Sequence, residues 1–312
     1  MLLTAPAKLT LSLRVTGRRP DGYHLLDAEM VTIDVADLLE FTEVDGEVDG
    51  DSCRLGVGDG HSHGVEVVDE VVGGTGIGDL GPGPDNLVVR ALGAVGRRAA
   101  VRLVKRIPLG AGLGGGSADA AAVLRWAGCT ELDVAASLGA DVPFCVAGGR
   151  ARVRGIGEHL SQLPYQDRRF LVLLPPLSVD TATVYRAWDD MAEGGAQGSG
   201  ISSAHHGGND LEAAALVVEP RLAAWRDAFA AMTGSTPSLA GSGSAWFVEV
   251  YAGDDAAPWA TGEDVAPADG GTLVLHGRSA PVLWTRTVPA TALSAERSTG
   301  PDAALPPEGA GV

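Results

Sequence analysis

The stretch PLGAGLGGGSAD at 108–119 constrains what this chain can fold into more than any other. Its five glycines (Gly110, Gly112, Gly114, Gly115, Gly116) carry no Cβ, so a bulky anion can approach the main chain closely. Ser117 is a favourable N-cap for the alanine-rich run 118–126, which reads as a helix closed by Gly128. A glycine loop ending on a helix N-terminus offers unpaired N–H groups and the positive end of the dipole to a phosphate. The segment is expected to be an anion cradle lined by Pro108, Leu109, Gly110, Ala111, Gly112, Leu113, Gly114, Gly115, Gly116, Ser117 and Ala118.

The type of cradle can be narrowed. Gly110, Gly112 and Gly115 satisfy G-x-G-x-x-G, a pattern that carries no function by itself. A dinucleotide fold wants it in the first βα unit, with an acidic ribose ligand after the next strand. Here a long segment precedes the loop and a further helical pattern follows it. The P-loop pattern fails as well, because Gly116 stands where its lysine belongs. A ligand-free turn is the remaining alternative, disfavoured by the backbone entropy that so many glycines cost.

Charge points the same way. The chain is acidic overall, with net charge −17 and pI ≈ 4.7, which argues against nucleic acid or an anionic membrane as partner. From Asn86 to Ala118 there is no carboxylate, while Arg90, Arg97, Arg98, Arg102, Lys105 and Arg106 are all basic. A local basic segment entering a glycine loop favours a small polyphosphate, although Arg97 and Arg98 also fit a solvated helix face. Of 23 Lys and Arg, only Lys8 and Lys105 are lysine. Retained lysines mark positions that need a compact ammonium, unless they are chance survivors of composition. The alternation of Leu9, Leu11 and Leu13 reads as a strand that points Lys8 away from the leucine face.

With 312 residues and 45% hydrophobic content, the chain is long enough for two domains. No apolar run approaches the ~20 residues of a membrane span, and the N-terminus lacks signal-peptide architecture. Cys53, Cys129 and Cys145 are scattered and suggest neither a disulfide framework nor a metal cluster. A soluble cytoplasmic protein is expected.

Strands are expected at 2–14 and 29–44, joined through a turn at 19–22, with shorter ones at 53–57 and 64–68. The acidic run 45–51 lacks the spacing of a calcium loop and reads as a turn. A helix at 86–99 and a strand at 100–106 lead into the glycine loop. Beyond it come a helix at 133–139, strands at 151–154 and 170–174, and a flexible connection at 190–209. Helices at 210–218 and 222–232 and strands at 245–250 and 279–288 follow. An insertion at 253–271 and a disordered tail at 291–312 complete the chain.

Two further segments carry possible chemistry. SLAGSGS at 238–244 is a second small-residue loop, able to close over phosphates held by the first or to be an ordinary tight turn. In LGADVPF at 138–144, Pro143 biases Val142 toward an extended conformation and sets Asp141 on a sharp corner. On residues alone, Asp141 is equally a turn former.

In order along the chain, PAK at 6–8, GRRPDGYH at 17–24, the loop 108–119, GADVP at 139–143, GIGE at 155–158 and AGSGS at 240–244 resemble the GHMP small-molecule kinases. The resemblance covers roughly residues 1–250 and the final strand. It implies an α+β fold of two domains, ribosomal S5-like over 1–155 and ferredoxin-like over 156–290, with substrate in the cleft. RPDGYH and GADVP narrow it to the branch that uses ATP and Mg²⁺ to phosphorylate the 2-hydroxyl of a cytidine diphosphate-linked methylerythritol, in the non-mevalonate isoprenoid route.

Within that resemblance Asp141 matches the catalytic base and Lys8 its partner, which offsets charge on the transferring group. Asn86 and Lys105 match positions near adenine, and Gly241, Ser242 and Gly243 match residues that close over the nucleotide. Tyr23 and His24 match cytosine recognition, with Tyr185 as the opposing aromatic, and Thr10 and Thr181 fall among the substrate contacts. A monomer or weak homodimer is expected. The chain departs from the family pattern where Thr10 replaces an asparagine and Ala118 a serine, which bears on substrate contacts rather than kinase class. The alternatives are another GHMP kinase, of homoserine or mevalonate type, and a nucleotide-binding protein that has lost catalysis. Retention of both Lys8 and Asp141 weighs against the latter.

Overall fold

The computed structural model describes residues 1–43, 65–69, 83–193, 208–251 and 271–295. The expected strand at 53–57, the turn at 45–51 and, apart from residue 271, the insertion at 253–271 lie outside them. In chain order the elements begin with β1 (Leu2–Arg18), β2 (His24–Glu43), β3 (Val65–Asp69), α1 (Leu87–Ala94), β4 (Ala99–Lys105) and α2 (Gly115–Trp126). Next come α3 (Leu132–Leu138), α4 (Val142–Ala147), β5 (Arg150–Gly155), β6 (His159–Gln162) and β7 (Arg169–Leu173). The rest are α5 (Thr181–Glu193), α6 (Glu212–Val218), α7 (Arg221–Thr233), β8 (Ser238–Leu239), β9 (Trp246–Val250), β10 (Thr272–Leu275), β11 (Arg278–Arg286) and α8 (Ala290–Ala295).

Two sheets carry the chain. The first has the order β3-β4-β2-β5-β6, with β1 paired antiparallel to β2 along nearly its whole length. The second is β10-β11-β7-β9-β8 and is antiparallel throughout. This is the expected mixed α and β architecture of two sheets. Helices α1, α2, α3 and α4 pack on one another, and α2 and α4 meet β1, because the alanine-rich α2 lets neighbouring backbones come close.

β1 does not keep one leucine face. Register shifts between Pro6 and Lys8, Thr10 and Ser12, and Val15 and Gly17 re-aim its side chains, as bulges do. Leu9 and Leu11 enter one core cluster and Leu13 the other. The smaller cluster joins Leu9, Val31 and Ile33 of the first sheet to Phe170, Val172, Phe247 and Leu283 of the second. Ile107, Ala111, Leu113 and Ala240 belong to it too, so both small-residue loops are anchored where the sheets meet.

Several local expectations are corrected. Ser117 is not the cap of α2: Gly114, in the left-handed conformation, is the N-cap, and Ser117 lies inside the first turn. Val142 is helical, because Pro143 falls in the first turn of α4, where its missing N–H is no loss. The helix at 86–99 ends earlier, at Ala94. Residues 291–295 of the expected tail and 190–193 of the expected connection are helical. α8 covers the first tail residues with Leu293 buried against Gly148, and α5 runs to Glu193. Cys129 is disulfide-bonded, whereas Cys145 is free and buried, its thiol pushed up to about 12 by burial and by Asp141. Among the described residues no helix is long and apolar enough to cross a membrane.

Candidate active site

The bulge at Pro6/Lys8 turns Lys8 under the glycine loop. Its main-chain N–H donates to the Leu113 carbonyl at 2.9 Å, and a Cβ on Gly114 would lie 2.8 Å from Lys8 Cγ. The side chain is 5% exposed. Its Nζ donates to Thr10 Oγ1 at 3.0 Å and lies 3.4 Å from Asp141 Oδ2. Asp141 stands at the corner between α3 and α4, where Gly139 is extended and ends the first of these helices. Its carboxylate caps nothing and is 32% exposed. It can therefore face a ligand on one side and Lys8 on the other.

Above Lys8 the loop 108–114 runs into α2. No side chain caps this helix, so the first-turn amides keep their donors for an incoming anion. Ala111, Leu113 and Ala118 bury their side chains, leaving the main chain to line the cradle with the glycines and half-buried Ser117. Pro108 is buried and Leu109 half-buried. The 240–244 loop lies against it: Ser244 N donates to Gly110 O and Ala245 N to Ala111 O, both at 3.1 Å. A Cβ on Gly112 would collide with the Ala240 carbonyl, so only glycine allows the two loops to approach this closely. Gly241 sits over Lys8, its Cβ position 3.2 Å from Nζ, and Ser242 Oγ is 2.8 Å from Thr181 Oγ1.

The aromatic residues form a second cluster. His24 stacks on Tyr185 with ring centroids 4.7 Å apart and meets the edge of Trp188. Its Nε2 lies 2.7 Å from Asp189 Oδ1, while Arg18 lies 3.3 Å from the other carboxylate oxygen. Burial raises the Tyr185 hydroxyl pKa, and the charge of Asp141 raises it further, so the cluster adjoins the Lys8–Asp141 couple electrostatically. Tyr23 is 62% exposed at the β1–β2 hairpin.

Two of the expected nucleotide contacts make structural bonds. Lys105 is fully buried, bonds Asp37 and Asp119, the latter at 2.7 Å, and places its Nζ 3.2 Å from the Cβ position of Gly115. Asp37 also accepts from Arg106 N at 2.5 Å and Ile107 N at 2.8 Å, tying the loop entry to β2. Burial raises the Asp119 pKa to about 7 and Asp37 adds to this, while Lys105 opposes it. Burial alone would lower the Lys105 pKa, but the two carboxylates outweigh it and the shift is upward. Asp119 Oδ1 has no hydrogen-bond partner among the described residues. Asn86 is buried and caps α1, accepting from Val88 N at 2.9 Å.

Sequence reasoning missed Asn209, assigned to the flexible connection. Its Nδ2 donates to Gly241 O at 2.5 Å and Leu239 O at 3.0 Å, holding the second loop in place. The available signal was the Asn-Asp pair at 209–210 directly before a helix, a pattern that caps and turns favour. Asp210 in turn accepts from Arg14 at 2.6 Å and from Val15 N at 3.0 Å.

Residues 86–149 match the family described as GHMP kinases N terminal domain. Over 267 residues the chain is 37% identical to the 4-diphosphocytidyl-2-C-methyl-D-erythritol kinase of Paracoccus denitrificans (strain Pd 1222), covering 78% of this chain and 84% of that protein. The enzyme of the same name from Moorella thermoacetica (strain ATCC 39073 / JCM 9320) is 36% identical, with 79% and 89% covered. A crystal structure of 4-(cytidine 5'-diphospho)-2C-methyl-D-erythritol kinase superposes with a TM-score of 0.57 at 33% identity, covering 79% of this chain and 89% of that one. The L. major mevalonate kinase in complex with R-mevalonate shares the fold alone, at a TM-score of 0.50 and 12% identity, with 81% and 88% covered.

Proposed function

The chain belongs to the 4-diphosphocytidyl-2-C-methyl-D-erythritol kinases, a branch of the GHMP kinases, and on that premise we propose that it phosphorylates the 2-hydroxyl of 4-diphosphocytidyl-2-C-methyl-D-erythritol with ATP, a step of the non-mevalonate route to isoprenoid precursors. Asp141 takes the hydroxyl proton as the oxygen attacks the γ-phosphorus. The new O–P bond forms while the bond to the β–γ bridging oxygen breaks, and ADP leaves with that electron pair. Lys8 sits between the base and the loop, where an ammonium offsets charge on the transferring group. The amides opening α2 hold the phosphates, and Gly241, Ser242 and Gly243 cover them.

Magnesium needs few protein oxygens, since it keeps waters and phosphates as ligands. Among the described residues no cluster of three His, Cys, Asp or Glu forms a cage, and half-buried Ser117 brings a hydroxyl to the first turn of α2 at the cradle. These donors fit an ion that arrives with ATP: Ser117 and phosphate oxygens would hold it, and it supplies charge neutralisation there. At the other end of the substrate, His24 and Tyr185 receive the cytosine, with exposed Tyr23 free to cover it.

One observation carries this reading: the buried ammonium of Lys8 touches the Asp141 carboxylate at 3.4 Å directly beneath the glycine loop. The test offers ATP, Mg²⁺ and a panel of alcohols to the purified protein. Phosphorylation of the cytidyl substrate, but not of homoserine or mevalonate, is expected. Turnover of either competitor in its place refutes the substrate, and nucleotide binding without any turnover refutes the kinase.

A further inference from the structure

The GIGE turn at 155–158 has no task in phosphoryl transfer. It closes the β5–β6 hairpin: Gly157 N donates to Arg154 O at 3.3 Å, and Glu158 Oε2 accepts from Ile156 N at 2.6 Å. Gly155 and Gly157 have φ of +73° and +121°, both in the region that favours glycine. They differ in what lies over them. A Cβ at Gly155 would first meet the Glu158 carboxylate, the movable end of a side chain. A Cβ at Gly157 would run into the Ala140 carbonyl oxygen, 2.8 Å from its carbon and 3.1 Å from Ala140 Cα. That obstacle is backbone, and it immediately precedes Asp141.

The corner holding Asp141 is also tied by Lys8 Nζ, 3.4 Å from Asp141 Oδ2, and by the bond from Cys145 N to Asp141 O at 3.1 Å, but neither reaches the Ala140 carbonyl. Gly139 is extended, Val142 N bonds back to Gly139 O at 3.1 Å, and the Asp141 side chain makes no capping bond. The hairpin turn therefore presses on the peptide from which the carboxylate hangs.

We propose that the 155–158 turn is the positioning element of Asp141: Gly157 is the positioning residue that lets the turn seat against Ala140, and Glu158 locks the turn's shape. This rests on the reading of Asp141 as the base. Shifting a catalytic group by about 1 Å costs roughly a hundredfold in rate. A methyl at position 157 must displace the 139–141 corner, and it leaves the cradle and its main-chain donors in place.

The experiment compares Gly157→Ala, Glu158→Ala, Asp141→Asn and, as a control for an alanine at positive φ, Gly277→Ala, whose φ is +75° and whose surroundings are open. It measures kcat, KM for both substrates and nucleotide affinity. Gly157→Ala is expected to lower kcat roughly thirty- to a hundredfold, with ATP KM and affinity within about threefold of wild type. Glu158→Ala is expected to lower kcat about five- to tenfold in the same pattern, and it carries the test alone if Gly157→Ala does not fold. Gly277→Ala should keep wild-type kcat. Unchanged kcat in Gly157→Ala, or in Glu158→Ala where only that variant folds, overturns the proposal, as does a loss matched by Gly277→Ala or by a parallel loss of nucleotide affinity. An active Asp141→Asn overturns instead the reading of Asp141 as base; an inactive one beside a fully active Gly157→Ala overturns the positioning role alone.

Discussion

Lys8 answers to Asp141, Thr10 and the main chain of Gly114 at once, so its substitution reports on the site more than on the fold. Lys8→Met keeps much of the buried stem and removes the charge. It is expected to cut kcat by about 10²–10³, the usual cost of losing one charge-stabilising donor, with a far smaller change in nucleotide affinity. Steady-state kinetics beside a binding titration check this. Lys8 was legible because a chain nearly without lysine keeps one in the first strand, in the PAK stretch at 6–8. The partners of Lys105 were not legible: Asp37 and Asp119 come from β2 and α2, and only the packed fold joins them. Thr10, which departs from the family asparagine, still accepts a hydrogen bond from Lys8, so the substitution preserves the lysine's orientation.

At the level of elements, the glycine loop and α2 behave as one unit fastened from behind by Lys105, Asp37 and Asp119. The Asp119 pKa, raised to about 7 by burial and Asp37, carries a signature. The folded protein holds a proton there that the unfolded chain releases near 3.8, the ordinary value for an aspartate. The resulting stabilisation is full below that value and is lost as pH rises through about 7. Asp119→Asn cannot titrate, so its stability should fall less between pH 5 and pH 8 than that of the wild type, measured by urea unfolding across the range. Parallel slopes would show that Asp119 does not carry the proton. The long strands, the 19–22 turn and the helix after the loop were readable from alternation and turn chemistry. α4 was not, because Pro143 restricts its predecessor by local sterics while the helix start is set by the Gly139 corner and packing on α2 and α3. The bulges of β1 were also invisible: they arise from pairing with β2 and from the demand that Lys8 face the loop while its neighbours stay buried.

For the whole molecule, the core cluster shared by the two sheets ties the cradle to global stability. Leu9 is fully buried in it, beside loop residues Ile107, Ala111 and Leu113. Leu9→Ala should cost about 2–5 kcal/mol, and unfolding should remain a single transition, because no sheet keeps an intact core without the other. Two separated melting steps in calorimetry would contradict that coupling. The mixed α and β fold was legible from the family pattern, but the junction of the two sheets was not, since its residues are scattered from Ala7 to Leu283. The account as a whole turns on a carboxylate and an ammonium meeting beneath a main-chain phosphate cradle, and Asp141→Asn tests it most directly. Phosphate transfer to the cytidyl substrate, followed by ³¹P NMR alongside an ATP-binding titration, should fall by at least about 10²-fold while ATP affinity stays within about threefold. Turnover near the wild-type rate in that variant, with ATP bound as before, would contradict it.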